Sequence, residues 1–156
     1  MTALSSMAQN GKATTEKKTF SRTTTVSIDI DADVSIVWSL LTNADDFARW
    51  NSTVVSLEGR IEKGEKVLLK STLDPSRTFK LKVKEMVPDQ QLVWGDAMGT
   101  RTYTLTPSGS GMRFLMSEKI GGPIFPLFAS KIPDFDASFE QFAADLKKEA
   151  ETIAGQ

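Results

Sequence analysis

The 156-residue chain contains no cysteine and no histidine, and these two absences narrow its chemistry more than any residue present. Without cysteine no disulfide forms. Without either residue, the usual nitrogen- and sulfur-ligated zinc site, the Ser-His-Asp group and the Cys-His group are all excluded. The side chain that ordinarily titrates near neutral pH is missing, so any acid–base chemistry falls to carboxylates, lysine, arginine, tyrosine, backbone amides or water. No metal site and no cofactor is expected. An excess of charge of one sign is lacking as well: 19 Lys and Arg against 20 Asp and Glu give a formal net charge of −1. Such a balance sets up no field to draw in nucleic acid, and no nucleic-acid partner is expected. No stretch reaches the ~18–20 apolar residues needed to cross a bilayer, so stable membrane insertion is not expected. The chain reads as cytoplasmic, in keeping with its lack of cysteine.

What is present is an ordinary globular composition, 40% hydrophobic and 25% charged, in a chain long enough for one domain with a real core. Residues 1–19, MTALSSMAQNGKATTEKKT, are small, polar and rich in Thr, Ser and Lys, without a signal-peptide core. They read as a disordered leader before a single domain spanning 20–156. The stretch TTTVSIDID then alternates Val26, Ile28 and Ile30 against Ser27 and Asp29, the mark of a strand with one buried face. Asp31 or Asp33 caps a short helix carrying Val34, Val37, Trp38 and Leu41, and Asn43 or Asp45 caps a second one carrying Phe47 and ending near Trp50.

From Thr53 the period falls from 3.6 to 2, giving strands near 53–58, 65–73, 77–87, 90–95, 100–107 and 111–119, with turns at GRIEKG, DPS, PDQ, DAMG and PSGSG. In the third of these strands Phe79, Leu81 and Val83 share one face, while Lys80, Lys82 and Lys84 form a solvated outer row. A last helix over about 133–153 aligns Phe135, Phe139, Phe142, Leu146 and Ile153 on one stripe. Only the concave face of an antiparallel sheet is large enough to cover it. The expected fold is therefore α+β: a curved antiparallel sheet of about seven strands gripping one long C-terminal helix, with two short helices between strands 1 and 2.

The string IDADVSIVWSLLTNADDFARWN, the Gly64 turn, LVW at 92–94, the hairpin GTRTYTLTPSGSGMRF, Glu118 and the terminal helix together resemble the START-like or birch-allergen-like superfamily (SRPBCC), over about residues 20–153. The nearest branch by resemblance is the polyketide cyclase/dehydrase and lipid-transport group. These motifs are mostly packing and turn residues, so they specify fold better than activity. The resemblance implies a helix-grip fold in which the two short helices close the mouth of the sheet. Trp38 then reads as core, and Trp50 as either a plug or a pocket wall.

A sheet wrapped around one helix leaves a space that side chains either fill or enclose. The apolar side chains expected to face it are Phe79, Leu81, Trp94, Met112, Phe114 and Met116 from strands, and Phe135, Phe139 and Phe142 from the helix, with Trp50 at the rim. If the PSGSG turn pairs 107 with 112, then Tyr103 faces Met116 and Arg101 faces Glu118, both inward. Arg101 with Glu118 is then either a structural clamp or a polar anchor for a ligand. The segment GGPIFPLFASKIP at 121–133 is too broken for one helix and too apolar for water, so it is either a gate or a fixed packed turn.

Three functions fit. Binding or transport of a hydrophobic small molecule, lipid or polyketide-like, needs no titrating base. An enzyme similar to the polyketide cyclases and dehydrases would use Arg101, Tyr103 and Glu118 as its catalytic candidates. A protein-binding module like the Hsp90 activators would use the lysine row. The sequence states neither the ligand nor the oligomeric state.

Overall fold

The structure, a computed structural model, describes residues 10–156. Its strands are β1 (Ala13–Lys17), β2 (Ser21–Ile30), β3 (Val54–Glu58), β4 (Lys66–Ser71), β5 (Asp74–Val87), β6 (Gln91–Gly95), β7 (Gly99–Ser108) and β8 (Gly111–Gly121). Helices α1 (Val34–Leu41) and α2 (Ala44–Trp50) follow β2, a single turn α3 (Phe125–Phe128) and a 3-10 turn (Ala129–Lys131) follow β8, and α4 (Asp136–Ala154) ends the fold. One eight-stranded antiparallel sheet in the order β1-β2-β8-β7-β6-β5-β4-β3 curves around α4, giving the expected α+β helix grip. Among the described residues no helix is long and apolar enough to cross a membrane.

Alternation decides which face of each strand enters the core. In β2 the residues Arg22, Thr24, Val26, Ile28 and Ile30 point inward, and in β8 Met112, Phe114 and Met116 do. The β7–β8 hairpin pairs Pro107 with Met112, Leu105 with Phe114, Tyr103 with Met116 and Arg101 with Glu118, the register expected from its turn. Lys80, Lys82 and Lys84 are all exposed on the convex side.

The leader needs correcting. Residues 1–9 lie outside the described residues, but Ala13–Lys17 form an edge strand paired with Val26 back to Arg22, which raises the strand count from seven to eight. The tie to the helix is polar. The Ala13 amide donates to Glu140 Oε2 at 2.9 Å, and the Thr15 hydroxyl donates to Asp136 Oδ1. Thr and Lys alternation of low hydropathy passes for disorder in a sequence, yet it is what an outer edge strand requires.

Two helical details also differ from the sequence expectation. Helix α1 buries Val37, Leu40 and Leu41, so Trp38 falls at the margin of the stripe and is only half-buried. Helix α4 starts at Asp136 and not 133, because residues 132–133 are held outside the helix: the buried Arg22 guanidinium donates to Pro133 O at 2.7 Å and Ile132 O at 3.4 Å. Its flanks are tied on both sides. The Asp31 amide and Lys147 both donate to Glu151 Oε2 along the β2 side, while Ser52 and Arg49 donate to Asp145 and Glu149 along the α2 side.

Removing residues 1–19 will therefore lower the thermal midpoint by about 2–8 °C, the shift that ~1–2 kcal/mol produces in a chain of this size. An unchanged midpoint in a thermal melt would return these residues to the status of a passive leader.

Candidate functional site

The aromatic residues of α4 meet the sheet unevenly along the helix. At Phe142 contact is close: its ring stacks on Phe114 at 6.2 Å and 9° and on Tyr103 at 5.8 Å, and it meets Phe47 at 5.9 Å and Trp50 at 6.0 Å. Toward the start of α4 the sheet stands off. There a cavity of about 230 Å³ opens between Phe135, Ser138, Phe139 and Phe142 of the helix and the inner faces of β4 to β8.

Its apolar wall includes Leu69, Phe79, Leu81, Trp94, Met116 and Ile120. Leu69 pairs directly with Phe79 across β4 and β5, so both share the inward face. The mouth is formed by Leu73 at the β4–β5 turn with Asp74 and Arg77 at the start of β5, by Asp96, Met98 and Gly99 at the β6–β7 turn, and by Lys131 to Pro133 before α4. Asp96 fixes its turn by accepting from the amides of Met98 and Gly99 at 2.9 and 3.0 Å. Gly95 there leaves no room for a side chain, since a Cβ would lie 2.2 Å from the Gly99 carbonyl oxygen.

The expected site residues divide between the two ends. Phe79, Leu81, Trp94, Arg101, Met116, Glu118, Phe135, Phe139 and Phe142 reach the cavity wall. Trp50, Tyr103, Met112 and Phe114 do not. They belong to the packed end, where Trp50 lies 4.7 Å from Phe47 and plugs the core, and Tyr103 and Phe114 are covered by Phe142. Sequence reasoning missed Leu69, because the β4–β5 hairpin turns at Thr72 and Leu73 and not at DPS, which lies inside β5, and the mouth residues, which lie at or beside turns whose facing has no period to read. It also missed Arg22, a buried cation satisfied by two carbonyls and the Phe135 ring at 4.8 Å.

Polar groups collect along one side of the cavity. Arg101 Nε donates to Glu118 Oε1 at 2.7 Å, with the side chains only 17% and 18% exposed, and the guanidinium lies 5.0 Å from the Phe139 ring. Burial disfavours the Arg101 charge, but its interactions with Glu118 and Tyr103 together outweigh it and hold the pKa above its ordinary value. Burial pushes the Tyr103 hydroxyl above its ordinary 10.0, opposed by the nearby Arg101 charge. The Arg101 guanidinium also acts on the hydroxyl as a nearby hydrogen-bond donor, while among the described residues no protein group meets strict hydrogen-bond geometry with Tyr103 Oη, Trp94 Nε1 or Trp50 Nε1. Among the described residues no group of three or more carboxylates is placed to hold a metal ion.

The segment after β8 is half anchored. Phe125 is buried and meets Phe128 at 5.7 Å, while Ile124 and Leu127 are 60% and 80% exposed. The Gly121 and Gly122 amides donate to Met98 O and Phe20 O at 3.0 Å each.

Two measurements test this geometry. Removing one partner of a shielded ion pair costs about 3 kcal/mol, whereas replacing both by apolar residues is far less harmful. Denaturant unfolding should show Arg101→Met and Glu118→Leu each destabilising and the double variant better than the sum; losses under about 1 kcal/mol would mark a solvated surface pair. Tyr103 is the only tyrosine, so ultraviolet titration reports it alone. A raised folded pKa means the folded state keeps its proton longer, so this contribution to stability is whole below the unfolded value of about 10 and is lost as pH rises through the folded one. Phenolate absorbance should appear above pH 10, together with unfolding; ionisation of a folded protein at or below 10 would contradict the burial.

Residues 21–151 match the family described as polyketide cyclase/dehydrase and lipid transport. No curated protein sequence matches the chain. Among solved structures, the chain is similar to a conserved protein of unknown function from Enterococcus faecalis, with 15% identity, 97% of this chain and 84% of that chain covered, and a TM-score of 0.69. It is also similar to a START superfamily protein from Mycobacterium smegmatis, with 13% identity, coverage of 84% and 98%, and a TM-score of 0.61. DynU16, a putative protein in the dynemicin biosynthetic locus, matches with 18% identity over 83% of this chain and 47% of that one, at a TM-score of 0.65. This chain thus spans about half of DynU16, and at such identities all three likenesses speak for the fold alone. With most of its length matched, from the start of β2 to the last turns of α4, the chain belongs to the polyketide cyclase/dehydrase and lipid transport family.

Proposed function

We propose that the protein binds or carries a hydrophobic small molecule, lipid or polyketide-like, in the cavity between α4 and the sheet. The observation that carries this reading is the void itself. Phe139 and Phe142 stack closely with neighbouring rings, yet a space of about 230 Å³ persists beside them, walled mainly by apolar side chains. An interior at ordinary packing density leaves few voids larger than a water molecule. The volume falls below the ~300–1,000 Å³ typical of drug-sized ligand sites, which favours a compact ligand over a long acyl chain.

Cyclase or dehydrase chemistry in the same cavity is the second reading, supported by Arg101 and Glu118 on its wall. The pKa directions favour the binding role: Arg101 and Tyr103 are both pushed away from neutrality, whereas a general acid or base works best with a pKa near the operating pH.

Incubating the purified protein with a cell extract of small molecules and analysing what it retains by mass spectrometry tests the reading. Compact apolar molecules should be enriched on the wild type and lost on Leu69→Trp, which fills the cavity while the protein keeps a cooperative unfolding transition. Nothing enriched over a control protein, or equal retention by the filled variant, would overturn it.

A further inference from the structure

We propose that the convex face of β4 and β5 docks an extended acidic segment of another protein, with carboxylates over its lysines and one apolar side chain over Leu68. The inference goes beyond the cavity and does not depend on it, since the cavity lies on the opposite face of the same strands.

The first ground is a concentration of like charge for which the sheet has no structural use. Lys66, Leu68 and Lys70 alternate in β4 with the inward Val67 and Leu69, and Lys80, Lys82 and Lys84 alternate in β5 with the inward Leu81 and Val83. Register sets Lys66 directly opposite Lys82 and Leu68 opposite Lys80. Like charges facing each other across two strands are destabilising. Lysine is also a poor strand former. Its usual service in a sheet is to keep an outer edge from pairing, and β4 and β5 both lie inside the order β6-β5-β4-β3.

The second ground is that this charge is left uncompensated. Among the described residues none of the five lysines is in an ion pair, and Lys84 donates only to the Thr100 hydroxyl, at 3.1 Å. The carboxylates carried by β3, β4 and β5 are Glu58, Asp74 and Glu85. Asp74 belongs to the cavity mouth, and Glu85 is held by Lys63 at 3.3 Å. That leaves Glu58, opposite Leu68, to answer five cations in a chain whose net charge is −1. On its β6 side Lys82 faces Gly95, which has no side chain to offer.

Composition and spacing choose the class of partner. Leu68 is 37% exposed, with Lys66 and Lys70 on its own strand and Lys80 across from it. An apolar centre inside a charged rim is the anatomy of a protein-binding patch. Lysines at alternate positions of a strand recur about every 6.7 Å, the same repeat at which alternate carboxylates recur along an extended peptide. The patch presents neither a guanidinium fork for base edges nor an aromatic ring for stacking, and a single leucine gives little to bury in a bilayer.

The test uses the full chain and a fluorescein-labelled peptide of alternating Glu and Ser with one central Leu, titrated by fluorescence anisotropy at low and at high salt. The wild type should bind it, and less tightly as salt rises. Lys82→Glu places opposite charges across from each other in the free protein, so the thermal midpoint should stay equal or rise while affinity falls on the order of tenfold. A loss of binding without a loss of stability separates the role from folding. Lys148→Glu changes the net charge equally on the exposed side of α4 and should leave affinity within about twofold. Leu68→Ser should weaken binding of this peptide and not of its counterpart with Ser in place of Leu. No binding by the wild type, or equal losses in Lys82→Glu and Lys148→Glu, would overturn the proposal. Tighter binding of an oligothymidylate or of phosphatidylserine vesicles, removed by Lys82→Glu, would overturn it in favour of nucleic acid or a membrane. Self-association of the free chain removed by the same substitution would overturn it in favour of a second copy.

Discussion

Phe142 presses one ring against Phe114, Tyr103, Phe47 and Trp50 at once, and the interior is organised around that contact. Aromatic rings carry large buried areas and gain a further ~0.5–1.5 kcal/mol from favourable pair geometry, so the helix is fixed at its closest approach to the sheet there. The Asn51 amide donates to the Phe142 carbonyl at 3.5 Å and ties the same point to the end of α2. From that pivot a straight helix leaves a curved sheet. One end is filled by Leu146 and the short helices, and the other, at Phe139 and Phe135, must either collapse or enclose space. It encloses space because the start of α4 is held from outside by Arg22 and by the carboxylates that bind β1.

The polar groups of α4 thus do more than face water. Asp136 and Glu140 bind β1, Glu151 binds the chain after β2, and Asp145 and Glu149 bind the residues around α2. Each such bond contributes about 1 kcal/mol on average, and their larger effect is positional: they set the height of the helix along both flanks. The cavity is a consequence of that height.

Much of this was legible in the residues. The two periodicities located β2 to β8, α1, α2 and α4, and the PSGSG turn fixed the register that places Arg101 opposite Glu118, because a side-chain period of two leaves no freedom once one pair is known. What escaped has physical reasons. β1 has too little apolar character to declare itself, since an edge strand is defined by its neighbour. Trp38 lies one position off the stripe of an eight-residue helix, where a window is too short to fix the phase. Tyr103, Met112 and Phe114 face the same way as Arg101 and Met116, and facing is all that alternation reports; how far along α4 the sheet stays in contact depends on tertiary geometry. The mouth lies at or beside turns, where no period operates.

The central claim is that space persists beside Phe139 when the protein is folded and unliganded. Diffraction from a crystal of the protein pressurised with xenon tests it directly, since the gas enters apolar voids and scatters strongly. The account predicts a xenon peak within the walls formed by Leu69, Leu81 and Phe139. A crystal with no peak there, and with those side chains in mutual contact, would contradict it.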